Sequence, residues 1–334
     1  MNIYEQQTKN KRLTIVIMLV FIAFFLFLGL GCDYFYSSFQ PQKQVEFVDY
    51  GGHYEGEVSN QPIPYFTIIA LIVACFMIVN SARNGAGMVL RSTMARRARS
   101  SDPEENQFLN VVDEMSIASG LPKPQAYIVP DMDLNAFATG FSPEKSYIAV
   151  TQGLVKELNR EELQAVVAHE MSHIRNYDIR LMTIVSALMG AIVLLRDFTA
   201  RRMFYGRGRS SSSSNRSGGG ALMIAIFVIW IIAMIFAPFF SRLLAMAISR
   251  KREYLADASA AELTRNPKGL ISALEKIRNA VMPTKAINNG VAHMCITDPR
   301  GSLIEEKLGI TADLMASHPP MEKRILALKV MSYQ

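Results

Sequence analysis

His169-Glu170-Met171-Ser172-His173 is the part of this sequence with the clearest chemistry. Four residues turn a helix by about 400°, so both imidazoles leave one face, one turn apart. Two nitrogens so placed can grip one zinc ion, and Glu170 stands beside them, positioned to accept a proton from an activated water. Only five histidines occur in the chain, so the pattern does not come from a histidine-rich composition. The plainer alternative is a polar helix face with solvated imidazoles. Ala165, Val166, Val167, Ala168 and Ile174 argue against it, because they make the helix largely buried, and buried histidines and carboxylates need partners.

Catalytic zinc takes a third protein ligand and keeps a fourth position open. A source lies far along the chain, in Arg252-Glu253-Tyr254-Leu255-Ala256-Asp257-Ala258. Glu253 and Asp257 share a helix face at i, i+4. Such pairs are mostly solvated, but Ala256, Ala258, Ala260 and Ala261 point to close packing. Glu253 could then ligate, and Asp257 could accept the N–H of a ligand histidine and fix its tautomer. His53 and His293 have no partners at ligand spacing and read as structural or solvated. Cys32, Cys75 and Cys295 are odd in number and far apart, which gives no disulfide framework.

The helix carrying the motif starts at Asn159, whose side chain can cap it, with Glu162 three residues on completing a capping box. Upstream, Asp102-Pro103 opens a helix with apolar residues at helical spacing, and Gly120 ends it. Three short β-type runs follow, at 126–129, 136–141 and 147–150, with turn-like sequence between them. They predict a small antiparallel sheet, and 154–158 predicts a short helix.

Half of the 334 residues are hydrophobic and only 19% are charged, which is too apolar for a disordered chain and unusual for a soluble enzyme. The net charge of +6 sits largely beside apolar runs, which points to a membrane edge and away from nucleic acid. Four runs carry no charge: 13–32, 61–82, 181–195 and 217–241. Each long one can cross a hydrocarbon core of about 30 Å; 181–195 is short unless its flanking arginines snorkel. The first is too long for a signal-peptide core and is followed by no fitting cleavage site, so an uncleaved anchor is expected. Between the first two runs, Lys43 is the sole cation against Asp33, Glu46, Asp49, Glu55 and Glu57, while Arg83, Arg91, Arg96, Arg97 and Arg99 follow the second. Both the N-terminus and the segment after Arg83 are therefore expected in the cytoplasm. The low-complexity Ser/Gly/Arg stretch 204–220 reads as a flexible linker. If Glu253 shares a metal ion with His169, the two must meet on one side of the membrane, so either both later runs span or neither does; four spans are expected.

Together these features resemble the HtpX-type membrane zinc endopeptidases, relatives of the CaaX prenyl proteases. The resemblance rests on Asn135-Ala136-Phe137-Ala138-Thr139-Gly140, on His169 to His173, on Arg252-Glu253-Tyr254-x-Ala256-Asp257, and on His318-Pro319-Pro320 with Arg324, in that order. It implies one zinc ion per chain held by His169, His173 and Glu253, with Glu170 as base and Asp257 behind a ligand. It implies an α-helical gluzincin fold with a small sheet, whose edge around Asn135 pairs with substrate backbone. It also places His318 and Arg324 near the scissile carbonyl, where a cation or N–H donor would stabilise the oxyanion.

The expected protein is a mainly α, multi-pass protein of the bacterial cytoplasmic (inner) membrane. Its parts are an N-terminal transmembrane hairpin (1–82), a cytoplasmic protease part with the zinc helix (83–180), a second apolar hairpin (181–241) and a protease part with the third ligand (242–334). It would cleave membrane or misfolded proteins at the cytoplasmic face, in quality control under stress, with no nucleic-acid partner, and would cut itself within 207–220. Two alternatives are a CaaX-type prenyl-peptide protease, which carries more spans, and an idle zinc-containing scaffold, which would not need Glu170.

Overall fold

A computed structural model describes residues 3–38, 44–49, 52–57, 63–190, 250–280, 292–297 and 319–332. The chain forms two compact units, one of Met1–Ile17, Ile78–Gly190 and Phe240–Gln334, the other of Met18–Met77 and Ala191–Phe239. Helix α1 (Ile3–Ser38) and helix α2 (Tyr65–Ser92) are both long and apolar enough to cross a membrane. Run 217–241 and the linker 204–220 lie outside the described residues.

Within the second unit, α1 and α2 approach closely where Gly29 faces Thr67. A Cβ on Gly29 would lie 2.5 Å from the Thr67 Cα, so no larger residue fits without moving backbone. Asp33 fastens the same end. Its carboxylate accepts the N–H groups of Phe66 (3.0 Å) and Thr67 (2.8 Å) and the Thr67 hydroxyl (2.6 Å). These N–H groups at the start of α2 have no intrahelical acceptor, and an anion there also suits the helix dipole. The connecting segment carries an antiparallel pair, β1 (Gln44–Asp49) and β2 (Gly52–Glu57).

The first unit is built around the helix Arg160–Arg175, α5. Its sheet runs in the order β3 (Arg96–Arg97), β4 (Gln125–Val129), β6 (Lys145–Thr151), β5 (Ala136–Ser142). The sheet is mixed, not antiparallel: β5 and β6 form the expected hairpin, but β4 pairs with β6 in parallel, from Gln125↔Tyr147 to Val129↔Thr151. The reason lies in residues 130–135, which carry the chain past the place of β6 to the far edge. This crossing is pinned where Thr151 Oγ1 accepts the Asn135 N–H (3.0 Å) and bonds the Asp133 carbonyl. The return strand β6 then fills the middle, where Ile148, Ala149 and Val150 are buried on both faces, as a central strand requires.

Helix α3 (Pro103–Ser119) begins and ends as its sequence predicts, with Asp102 accepting the Glu104 and Glu105 N–H groups and Gly120 closing it at φ 66°. Helix α4 (Gln152–Glu157) leads into α5 (Arg160–Arg175). The α5 capping box is complete: Glu162 N–H donates to Asn159 Oδ1 and Asn159 N–H donates to Glu162 Oε2, both at 2.9 Å. Apolar Leu163, Val166, Val167, Met171 and Ile174 are fully buried. They pack α5 against β5, α3, helix α6 (Arg250–Thr264) and helix α7 (Pro267–Asn279), while helix α8 (Met321–Ser332) lies on α7. Residues 178–190 are also helical. Ile179, Leu181, Ile184 and Leu188 there are buried, and Thr183 Oγ1 meets Thr139 Oγ1 (2.8 Å) and accepts the Gly140 N–H (3.0 Å). The first half of the 181–195 run thus belongs to the buried part of the first unit.

Glu162 also joins α5 to α7, accepting from Ser272 Oγ (2.6 Å) and Lys276 Nζ (2.8 Å). Burial alone would raise its carboxyl, but Lys276, Ser272 and the Asn159 N–H outweigh burial and hold it below the ordinary value. A carboxylate lowered in the folded state contributes stability above its unfolded value, which is lost as pH falls through the folded one. At neutral pH, Glu162→Gln should therefore melt earlier than the wild type, by about 0.5–2 kcal/mol of lost capping and pairing. The two proteins should converge in acid below the ordinary carboxylate range. Parallel melting curves at every pH would show that the charge contributes nothing.

Candidate metal centre

Helix α5 places His169 and His173 one turn apart, with their rings edge to face at 85° and both Nε2 atoms turned inward, 3.2 Å from each other. Helix α6 brings Glu253 to them from its first turn. Its Oε2 lies 3.6 Å from His169 Nε2 and its Oε1 3.6 Å from His173 Nε2. All three residues are buried, and their donor atoms lie within 4.8 Å of one another. Zinc holds imidazole and carboxylate at about 2.0–2.2 Å, so the edge of its tetrahedron is about 3.3 Å. The observed spacings are close to that edge. The donor set fits one zinc ion.

Each imidazole is backed by a carboxylate. Asp178 Oδ2 accepts from His173 Nδ1 at 3.0 Å. Asp257 Oδ1 stands 3.0 Å from His169 Nδ1, close in distance though off the line of a straight hydrogen bond. Arg324 is buried behind Asp257. Its Nε and one terminal nitrogen donate to the two Asp257 oxygens (2.8 and 2.7 Å), and the other donates to the Ile296 carbonyl (2.9 Å) and lies 3.5 Å from Glu253 Oε2. Four buried carboxylates (Glu170, Glu253, Asp178, Asp257) thus share two buried guanidiniums, Arg252 and Arg324. A divalent cation would balance that difference in charge.

The ionisation of the site follows from the same field. Burial opposes the imidazolium of His169, but Asp257 and Glu253 push its pKa up to about 9, with Arg324 opposing them. His173 is raised too, by Asp178 and Glu253 acting against burial. Burial pushes the Glu170 carboxyl up, Glu253 adds to this, and the two histidines and Arg324 pull it down; the net direction is upward. Among the described residues Glu170 Oε2 has no hydrogen-bond partner, and the group feels the charges of His169, His173 and Glu253, as a base for the proton of an attacking water would.

Residues 103–332 match the sequence profile of Peptidase family M48. The chain belongs to peptidase family M48. Within it, the protein is of the HtpX type: a protease HtpX homolog of Streptococcus equi subsp. equi is 41% identical over 263 residues, covering 78% of this chain and 85% of that one. One from Limosilactobacillus reuteri is 36% identical over 329 residues, 98% of this chain and 100% of its own. One from Thermoanaerobacter pseudethanolicus reaches 44% over 232 residues, 69% and 74% of the two chains. Among solved structures, Ste24p of S. mikatae aligns with a TM-score of 0.47 at 18% identity, over 78% of this chain and 57% of that one. As an M48 member the protein is a metalloprotease, and its described residues include two helices suited to a membrane.

The M48 chain brings His169, His173 and Glu253 together, with Asp257 beside His169 and Glu170 next to His169 on α5. Two other expected residues are engaged within the protein. Arg324 faces Asp257 and Ile296, and its guanidinium donates to both. Asn135 is fully buried, and its Nδ2 donates to the Thr297 carbonyl (3.2 Å). The outer edge of β5 beside it is occupied by the chain itself, through a Phe137↔Cys295 bridge and the Ile296 N–H on the Ala136 carbonyl (2.9 Å). His318 lies outside the described residues. His293 is buried with Nε2 3.1 Å from Ser186 Oγ, a structural role in keeping with its sequence context. Sequence reasoning missed Asp178, which follows the motif at no spacing that marks it, and it quoted Arg252 beside the third ligand without giving it a role.

Arg324→Met should destabilise the M48 fold sharply, because Asp257 and Glu253 would stay buried without their cation; removing one partner of such a pair costs about 3–5 kcal/mol. Thermal melting in detergent at neutral pH measures it. An unchanged melting temperature would mean that this pairing is not what holds α8 to α6.

Proposed function

We propose that this protein is a membrane-anchored zinc endopeptidase that cuts membrane or misfolded proteins at the cytoplasmic face of a bacterial cytoplasmic membrane, in protein quality control. The carrying observation is the cluster of His169, His173 and Glu253, with donor spacings of 3.2, 3.6 and 3.6 Å, next to the buried Glu170. In this role the three residues hold one zinc ion per chain. Zinc bound there supplies Lewis acidity toward water and the scissile carbonyl. Glu170 takes a proton from the attacking water and returns it to the departing amine. Asp257 and Asp178 hold the imidazoles with Nε2 inward, and Arg324 holds Asp257. The resemblance to the HtpX-type proteases supports His318 as an N–H donor to the developing oxyanion, while the Arg324 donors are engaged with Asp257 and Ile296.

Substrate backbone would pair in extended form with β5 at Asn135–Phe137. To do so it takes the place of Cys295 and Ile296, so segment 292–297 yields when substrate enters. The charge distribution around α1 and α2 supports a cytoplasmic catalytic unit. Labelling a cysteine placed at Ser212, in a background without the native cysteines, tests the four-span arrangement: reaction only from outside sealed vesicles supports it, and reaction only from inside contradicts it.

The substrate class is tested by trapping. Glu170→Gln expressed in native membranes should retain uncut proteins, and their identification should return integral membrane or misfolded proteins. Retention of prenylated peptides alone would favour a CaaX-type activity. Purified zinc-loaded wild type is expected to nick itself within 207–220; an intact chain that still cuts other substrates would exclude this.

A further inference from the structure

The C-terminal end of α5 is held by the first turns of α1. Gln7 Nε2 donates to the Arg175 carbonyl (2.8 Å), and Lys11 Nζ lies 4.2 Å from the centre of the Tyr177 ring. Asn10 Nδ2 donates both to the Asn176 carbonyl (2.9 Å) and to Asp178 Oδ1 (2.6 Å), which uses the two N–H groups of its amide. Tyr177 between them has φ 59°, a left-handed conformation that a bulky residue adopts only when its surroundings impose it. The contacts from α1 surround this turn.

Asp178 is where this grip reaches the metal centre. Its Oδ2 accepts from His173 Nδ1 (3.0 Å), while its Oδ1 accepts from Asn10 and, at 3.4 Å, from Arg252, the neighbour of Glu253. Asn10 and Asp178 are each 1% exposed, so the Asn10 amide, and not bulk solvent, is the donor that Oδ1 meets there. An acceptor on Nδ1 fixes the imidazole as the tautomer whose Nε2 lone pair faces the ion. If Asn10 is removed, Asp178 keeps one remote guanidinium on Oδ1 and is free to turn toward it, away from His173.

We propose that Asn10 is a positioning residue of the metal centre: through Asp178 it sets the orientation of His173, so the start of the anchor helix is part of the catalytic apparatus. This inference rests on the metal assignment of His169, His173 and Glu253. It gives the N-terminal residues a role that membrane anchoring does not require.

Zinc affinity of the full-length protein in detergent, measured by competition with a chromophoric chelator, tests it. The absorption spectrum of the cobalt-loaded protein and the melting of the metal-free protein are recorded beside it. Asn10→Ala and the isosteric Asn10→Asp should each weaken zinc binding about 10–100-fold, the usual loss when a partner behind a metal ligand is removed. Both should change the cobalt spectrum. Gln7→Ala breaks the neighbouring contact to α5 without a path to Asp178, and should stay within about twofold of wild type. In an Asp178→Asn background, Asn10→Ala should cost nothing further, because it acts through the group already removed. Wild-type affinity in Asn10→Ala, equal losses in Gln7→Ala and Asn10→Ala, or additive losses in the double variant would each overturn the proposal. So would failure of both Asn10 variants to fold in the presence of zinc, which would make Asn10 a folding contact. A wild type that binds no zinc would instead overturn the metal assignment itself.

Discussion

Glu170→Gln keeps its metal and loses peptide-bond hydrolysis by at least about 10²–10⁴-fold, the range for removal of a general base. The amide has nearly the volume and helix propensity of the carboxylate, so α5 packs as before and His169 keeps its place. What is lost is the ability to take a proton. Glu170 is well placed to act as that base. It is buried on the helix that carries both histidines, its Oε2 has no partner among the described residues, and burial moves its carboxyl upward, toward the pH at which it must work. Turnover of an unstructured protein substrate by the metal-loaded variant, compared with wild type at matched zinc content, measures the effect. Wild-type turnover in a folded, zinc-loaded Glu170→Gln protein would remove Glu170 from the mechanism.

Loss of a ligand acts one step earlier. His169→Ala, His173→Ala and Glu253→Ala should each leave the protein with little or no zinc after dialysis, because two protein donors hold the ion poorly. The surrounding carboxylates make this site proton-sensitive as well. With His169 pushed up to about 9, zinc must displace a proton from Nε2 or its partner nitrogen at neutral pH. Affinity should therefore rise with pH by about tenfold per unit for each proton displaced, levelling off above the imidazole pKa. Stoichiometric zinc in any of the three variants would remove that residue from the ligand set, and a pH-independent affinity would show that no imidazole is being deprotonated.

Local signals carried a good part of this structure into the sequence. The caps at Asp102, Gly120 and Asn159 work through residues three or four apart, so helices α3 and α5 could be placed from the sequence alone. The metal motif is equally local, and Glu253 with Asp257 was marked by its spacing and alanine-rich surroundings. The parallel pairing of β4 with β6 was not legible, since it depends on where the 130–135 crossing takes the chain. The hairpin β1–β2 lay in a segment read for its acidic charge, although Val45 and Phe47 alternate with polar residues in strand fashion. Asp178 follows the motif by five residues, past the helix end, and Asn10 is brought to it from the far end of the chain; only tertiary structure joins them. Arg324 was singled out only through the resemblance, and its partners Asp257 and Ile296 were not legible.

The central claim is one zinc ion bound by two imidazoles and a carboxylate. X-ray absorption at the zinc edge of the purified wild-type protein reads the ligand set directly. The structure predicts about 2.0–2.1 Å nitrogen and oxygen scatterers, with the outer-shell features of two imidazoles and no sulfur. Loss of one light-atom scatterer or of the metal in Glu253→Ala would accompany it. A zinc–sulfur distance of about 2.3 Å, or a spectrum with no imidazole contribution, would contradict the account.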